Sequence, residues 1–159
     1  MVLYTVGYEG CEISEFVTFL AKKKIEVIAD VRKNPISRKK GFSKNKLAAH
    51  LREKQIDYVH FKGLGVPSEW RKRAKAKLIT RERMFEDYKE KILPEHTEEL
   101  SEIRKLASEK KLALLCYEHE ADDCHRHQVS DRLKRAAKGR LKVVDLLIPV
   151  AKRYWGLHH

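Results

Sequence analysis

Three cysteines, Cys11, Cys116 and Cys124, are too few and too unevenly spaced to form a disulfide framework. Their scarcity excludes the small disulfide-stapled classes and points to a reducing, cytoplasmic setting. No apolar run approaches the roughly 18 to 20 residues needed to cross a bilayer. The opening MVLYTVGYEG also lacks the basic-then-apolar layout of a secretory signal. The expectation is a soluble protein with no membrane partner. Internal repeats and low-complexity linkers are absent too, so residues 1–159 are expected to form a single α/β domain, with His158 and His159 consistent with a tag remnant. Three signature motifs are missing. Without G-x-G-x-x-G or a Walker loop, ordinary dinucleotide and P-loop binding are disfavoured. Without a Cys-x5-Arg loop, cysteine phosphatase chemistry is disfavoured as well.

Acid is the remaining shortage, with 35 Lys and Arg against 23 Asp and Glu and a net charge of +12. Two segments carry all of that excess. Residues 32–54 hold nine Lys/Arg against Glu53 alone, and residues 66–83 hold seven against Glu69 and Glu82. Clustering of this kind implies an anionic partner, either a phosphate-bearing small molecule or nucleic acid. The competing interpretation is a Lys/Glu-rich chain whose charges form a solvated face.

Apolar patterning predicts five strands separated by helices. VLYTVG, EVIADVR, IDYVHF, KLALLC and KVVDLLI are short runs rich in β-branched and aliphatic residues. Between them, Ile13, Phe16, Val17 and Leu20 fall at helical spacing behind a cap at Ser14, and Leu47, Ala48 and Leu51 do so behind Ser43. Met84, Phe85, Tyr88 and Ile92 share one side of a further helix, while residues 69–78 have little apolar periodicity. Leu100, Ile103 and Ala107, and then Val129, Leu133 and Ala136, mark the last two helices. The alternation predicts a three-layer α/β/α sandwich around a mostly parallel sheet, with the common Rossmann-like order 3-2-1-4-5. In that order the first four strands each deliver polar groups to one carboxyl rim, where open α/β sheets bind ligands.

The richest of these strand ends is LLCYEHEADDCHR, residues 114–126. Asp122 or Asp123 can cap the helix that begins near Cys124, which would turn a positive helix end toward the rim. Arg126 adds a planar fork for phosphate or carboxylate. The same field would lower the pKa of Cys124, as a reactive thiolate requires, and Glu118 is placed to act as a base or to orient an arginine. The alternatives are a metal site using Cys116, Cys124 and His125 with His119 and His127 nearby, or an inert loop in which Cys116 packs as a small apolar group. C-x7-C-H is not a usual zinc spacing, so no metal ligand set and no cofactor is assigned from the sequence. Asp30 and Arg32 alternate along one strand and point the same way. They form either a structural ion pair or a ligand-binding arginine fixed by an acid. Ser37, Arg38, Gly41 and Lys44 in the next loop suit phosphate binding before a helix N-terminus. His60, Tyr8 and Glu9 complete the rim. The residues expected to carry chemistry are Cys116, Glu118, Cys124 and His60. Those expected to bind substrate are Tyr8, Asp30, Arg32, Ser37, Arg38, Lys44, His125 and Arg126.

Taken in order, TVGYEG (5–10), DVRKNPISR (30–38), GFSK (41–44), YVHFKGLG (58–65) and LLCYEHEADDCHR (114–126) resemble the family known as domain of unknown function 488. The resemblance runs to about residue 135. It implies an α/β domain with Gly7, Tyr8, Asp30, Arg32, Ser37, Arg38, His60, Cys116, Glu118, Cys124, His125 and Arg126 gathered at one rim, and it brings no activity with it. This chain departs from the family pattern at Ala121, where relatives often carry proline, and at Asp145, where they often carry histidine. The expected function is an anion site for phosphate or nucleotide, in an enzyme acting on a phosphate-bearing or nucleic-acid substrate. The alternatives are a non-catalytic nucleic-acid-binding module and a Cys/His metal-binding protein.

Overall fold

A computed structural model describes residues 1–118 and 124–149. Five parallel strands, β1 (Val2–Gly7), β2 (Val27–Asp30), β3 (Asp57–His60), β4 (Leu112–Cys116) and β5 (Lys142–Leu146), form one sheet in the order β3-β2-β4-β1-β5. Among the described residues six α-helices flank it: α1 (Ile13–Lys22), α2 (Lys44–Glu53), α3 (Ser68–Lys75), α4 (Arg81–Asp87), α5 (Thr97–Glu109) and α6 (Arg126–Ala136). None of the helices among the described residues is long and apolar enough to cross a membrane.

The strand order corrects the expected 3-2-1-4-5: β4 lies between β2 and β1. Side-chain burial separates the interior strands from the edges. Every residue of β4 is buried, as is every residue of β2, whereas β3 and β5 are partly exposed and take the edges. A strand that is apolar on both faces is most stable where helices cover both of those faces. The consequence for the rim is direct. Cys116 pairs in register with Gly7 on one side, and Leu115 pairs with Asp30 on the other.

Alternation along the strands divides the core in two. Leu3, Val27, Ala29, Leu112 and Leu114 face the layer of α4, α5 and α6, packing against Met84, Ile103, Val129 and Leu133. Val6, Ile28, Ala113 and Leu115 face α1 and α2, meeting Phe16, Leu20, Leu47 and Leu51. Fully burying each such side chain contributes about 1.5–3 kcal/mol before conformational entropy is charged against it. The weakly periodic segment 69–78 is helical as far as Lys75, in α3, which buries no residue fully and rests Trp70 and Ala74 against the core. Past α4 the chain continues as a π-helical turn over Tyr88–Ile92, so Tyr88 and Ile92 share a side but not one regular α-helix.

Neither expected serine cap forms. Ser14 lies inside α1, with Glu12 at the cap position. Ser43 does precede α2, but its hydroxyl accepts from Ser37 N at 2.9 Å and donates to Ser37 O at 3.2 Å, closing the 37–43 loop instead of the helix end. The caps assigned to Asp122 and Asp123, and the expectations for His119 and Ala121, lie outside the described residues. Asp145 pairs in register with Thr5 and accepts a hydrogen bond from its hydroxyl at 2.5 Å, which satisfies a fully buried polar group.

Candidate functional site

The rim residues fall into two clusters. The first is anchored on Asp30, which has no solvent exposure. Arg32 reaches back beyond the end of β2 to hold its carboxylate with both Nε (2.9 Å) and Nη2 (2.8 Å). Tyr58 donates to the same carboxylate at 2.5 Å, and the Arg32 backbone N–H donates at 3.0 Å. Nη1 of Arg32 donates to Tyr8 Oη (3.1 Å) and to the Phe42 carbonyl (2.7 Å). A bidentate buried pair with all these partners is strongly oriented. Although burial opposes the charged form, Asp30 and Tyr8 hold the Arg32 guanidinium firmly protonated. Burial and the neighbouring Asp30 push the Tyr58 phenol far above its usual range. Tyr8 stacks on Phe42 with ring centroids 4.3 Å apart, and Nε2–H of His60 donates to the Arg32 carbonyl at 2.7 Å.

The second cluster stands at the end of β4 and the start of α6. The Sγ atoms of Cys116 and Cys124 lie within bonding distance and are paired as a disulfide, with their Cα atoms 7.1 Å apart. Cys116 Sγ lies 3.6 Å from Glu118 Oε2 and accepts from Arg126 Nη1 at 3.3 Å. The same Nη1 donates to the Glu118 carbonyl at 2.6 Å. His125 donates from Nε2 to the Val31 carbonyl at 2.6 Å, leaving Nδ1 3.8 Å from Cys124 Sγ. The imidazole keeps a little accessible surface, yet protein atoms surround it. Burial brings its pKa down to about 4, assisted by Arg71 and Arg126 and opposed by the Val31 hydrogen bond. Burial likewise raises the Glu118 carboxyl above its usual range, against the pull of its backbone N–H, Arg81 and Arg126.

Gly7 makes this second cluster possible. A Cβ at that position would sit 1.6 Å from the Glu118 carbonyl oxygen and 2.8 Å from Arg126 Nη1. Only a residue without a side chain lets the loop after β4 cross the end of β1 so closely.

A cleft of about 310 Å³ opens over both clusters. Tyr8 and Arg32 from the first cluster line it, as do Cys116, Glu118 and His125 from the second. Lys33, Ser37, Arg38 and Arg71 close the walls. A second hollow of about 300 Å³, bounded by α3 and α4, shares Val66, Arg71, Glu118 and His125 with the first. Two large apolar side chains also line the main cleft while staying open to solvent, Ile36 at 85 % exposure and Tyr117 at 44 %.

Of the residues expected from sequence, Tyr8, Arg32, Ser37, Arg38, Cys116, Glu118 and His125 come together in this cleft. Asp30, Cys124 and Arg126 lie buried behind its lining. His60 serves the Arg32 carbonyl, and Lys44 lines a separate hollow in the 35–46 loop. Sequence reading missed Arg71, Lys33 and Tyr117 as site residues. The only signal for Arg71 was the density of cations in residues 66–83, since nothing local ties α3 to the sheet rim.

A family model described as "Domain of unknown function DUF488" matches residues 12–133. No curated protein and no solved structure matches the chain.

Proposed function

The chain belongs to the DUF488 family, whose description states no activity, and from the chemistry of the cleft we propose that it binds the anionic group of a small phosphate-bearing substrate. One observation carries this reading: Lys33, Arg38 and Arg71 line the cleft beside the Asp30-paired Arg32, and among the described residues Glu118 is the one carboxylate in that lining. Cations so concentrated in a concave site favour an anion through both Coulomb attraction and charge-assisted hydrogen bonds. A volume of about 310 Å³ suits a small molecule. Exposed Ile36 and Tyr117 offer an apolar surface for its organic part, as a nucleotide or sugar phosphate would need. Reaction chemistry is assigned to the group at the floor, Cys116, Glu118 and His125. Glu118 is the proton-transfer residue of this reading, because it lines the cleft with Oε2 3.6 Å from Cys116 Sγ and burial favours its protonated form.

Salt dependence separates this reading from an extended nucleic-acid footprint. Binding of a nucleoside monophosphate is expected to weaken with a log–log slope of about −1 to −2, whereas a single-stranded oligonucleotide contacting many phosphates follows roughly −0.7 per contact. An oligonucleotide that binds with a steep slope, alongside no binding of any small phosphate ester, would overturn the small-substrate reading in favour of a nucleic-acid module.

A further inference from the structure

Anion binding leaves Cys124 unexplained. It is buried, does not line the cleft, and yet its sulfur meets that of Cys116. Cys116 Sγ, Cys124 Sγ and a ring nitrogen of His125 all lie within 4.8 Å of one another. A packed strand end and the start of a helix supply them, and two features of their surroundings suit a metal. Because Nε2–H of His125 is committed to the Val31 carbonyl, Nδ1 is the nitrogen turned toward sulfur. Outer hydrogen bonds of this kind fix the tautomer of metal-ligating histidines. The 3.8 Å between Cys124 Sγ and His125 Nδ1 is also a ligand-to-ligand spacing that fits tetrahedral zinc, whose bonds are about 2.3 Å to sulfur and about 2.0–2.1 Å to nitrogen.

We propose that Cys116, Cys124 and His125 bind a divalent transition metal, zinc by the character of its donors, with the fourth position open to the cleft beside Glu118. Two thiolates and an imidazole select zinc over the oxygen-seeking magnesium and calcium. On binding, each thiol releases its proton to solvent as the metal–sulfur bond forms. Charge then balances locally. Two thiolates neutralise the dication, and the Arg126 guanidinium donates to the Cys116 sulfur. A disulfide is the competing state of the same two sulfurs. The 7.1 Å Cα separation exceeds the roughly 4.4–6.8 Å that disulfides span. With a metal between them, the sulfurs part to about 3.8 Å, as the tetrahedral bond lengths require. Three protein ligands with an open fourth position make up a zinc centre able to polarise a bound oxygen. Cys116, Glu118 and His125 all line the cleft, so that position faces the space assigned to substrate.

The site stands on its own ligands and does not require that the cleft bind phosphate, because metal is measured without substrate. Wild-type protein prepared without chelator and dialysed against dilute zinc is expected to retain about one zinc per chain by elemental analysis, as three-ligand sites do. Cys11→Ala should retain it equally, while Cys124→Ser and His125→Ala should lose at least about tenfold in zinc affinity. Cobalt-loaded wild type should show sulfur-to-cobalt charge-transfer absorption, a readout that depends on no variant folding. Wild type that holds no near-stoichiometric metal and gives no such absorption would overturn the proposal, as would a Cys116–Cys124 crosslinked peptide in protein kept under reducing conditions. Retention of full zinc affinity by both ligand variants would do the same. Nucleotide binding, titrated on the same samples, reports separately on the cleft. Zinc present without nucleotide binding sinks only the anion reading, and the reverse result sinks only the metal.

Discussion

The two clusters at the carboxyl rim use similar residue types to opposite ends. Around Asp30, the acid, the arginine, two tyrosines and a backbone carbonyl answer one another's hydrogen bonds within the α1–α2 side of the protein. Around Cys116, the sulfurs, Glu118 and His125 crowd together under an open cleft, and burial displaces the pKa values of Glu118 and His125 in opposite directions. The first arrangement resembles a completed joint, in which a buried charge pair is tolerated because each group has a partner. The second has the traits of a reactive centre, where titrating groups are pushed from their ordinary values beside a cavity. An arginine at a strand end therefore does not identify a ligand site. Its partners do, and Arg32 spends most of its donors on the protein itself.

Four changes test that division, beginning with the greatest expected effect. Asp30→Asn should destabilise the protein by about 3–5 kcal/mol, since it leaves the buried Arg32 cation without its counter-charge. Urea unfolding measures the loss, and a loss below about 1 kcal/mol would make the pair incidental rather than a joint. Gly7→Ala is expected next, with a cost of about 1–3 kcal/mol because the Glu118 carbonyl must move away from the new Cβ. That variant should also lose nucleotide binding, which a purely structural glycine would not cause once the protein is folded.

Cys11 probes the closed half through pH. Burial, reinforced by Glu15, pushes its thiol up to about 11 from 9.0. The folded state therefore keeps a proton that the unfolded chain sheds between those values, and stability falls as pH rises through that window. The loss is on the order of 2 kcal/mol, and Cys11→Ala should remove it from the difference between denaturation curves at pH 8 and at alkaline pH. A variant with the same alkaline slope as wild type would show that this thiol is not held protonated. The smallest effect on stability belongs to Arg71→Ala. Arg71 is exposed on α3, so unfolding free energy should change by no more than about 0.5 kcal/mol, while nucleotide affinity falls by about tenfold for the lost charge-assisted contact.

Much of the fold was legible because burial leaves periodic traces. LALLC and VIAD read as strands from their apolar runs, and Phe16, Val17 and Leu20 mark α1 at helical spacing. Strand order was not legible. A parallel crossover specifies its hand but not which neighbour it skips, so inserting β4 between β1 and β2 left no local mark. Ser43 shows the same limit at the scale of one hydroxyl: its position before α2 was correct for a cap, but a partner six residues upstream, Ser37, captured it. At the rim, residues next to strand ends could be named because topology alone carries them there. Arg71 could not, because it reaches the cleft from a helix with no buried face, and nothing in its immediate sequence records that approach.

Titration calorimetry of a nucleoside monophosphate, comparing wild type with the Arg38→Ala/Arg71→Ala double variant at low salt, tests the central claim most directly. Both side chains are exposed and line the cleft, so their removal spares the Asp30 joint and the core. The account predicts one site per wild-type chain and an affinity at least about tenfold weaker in the double variant, with unfolding curves that nearly coincide. No binding by wild type, or equal binding by both proteins, would contradict it.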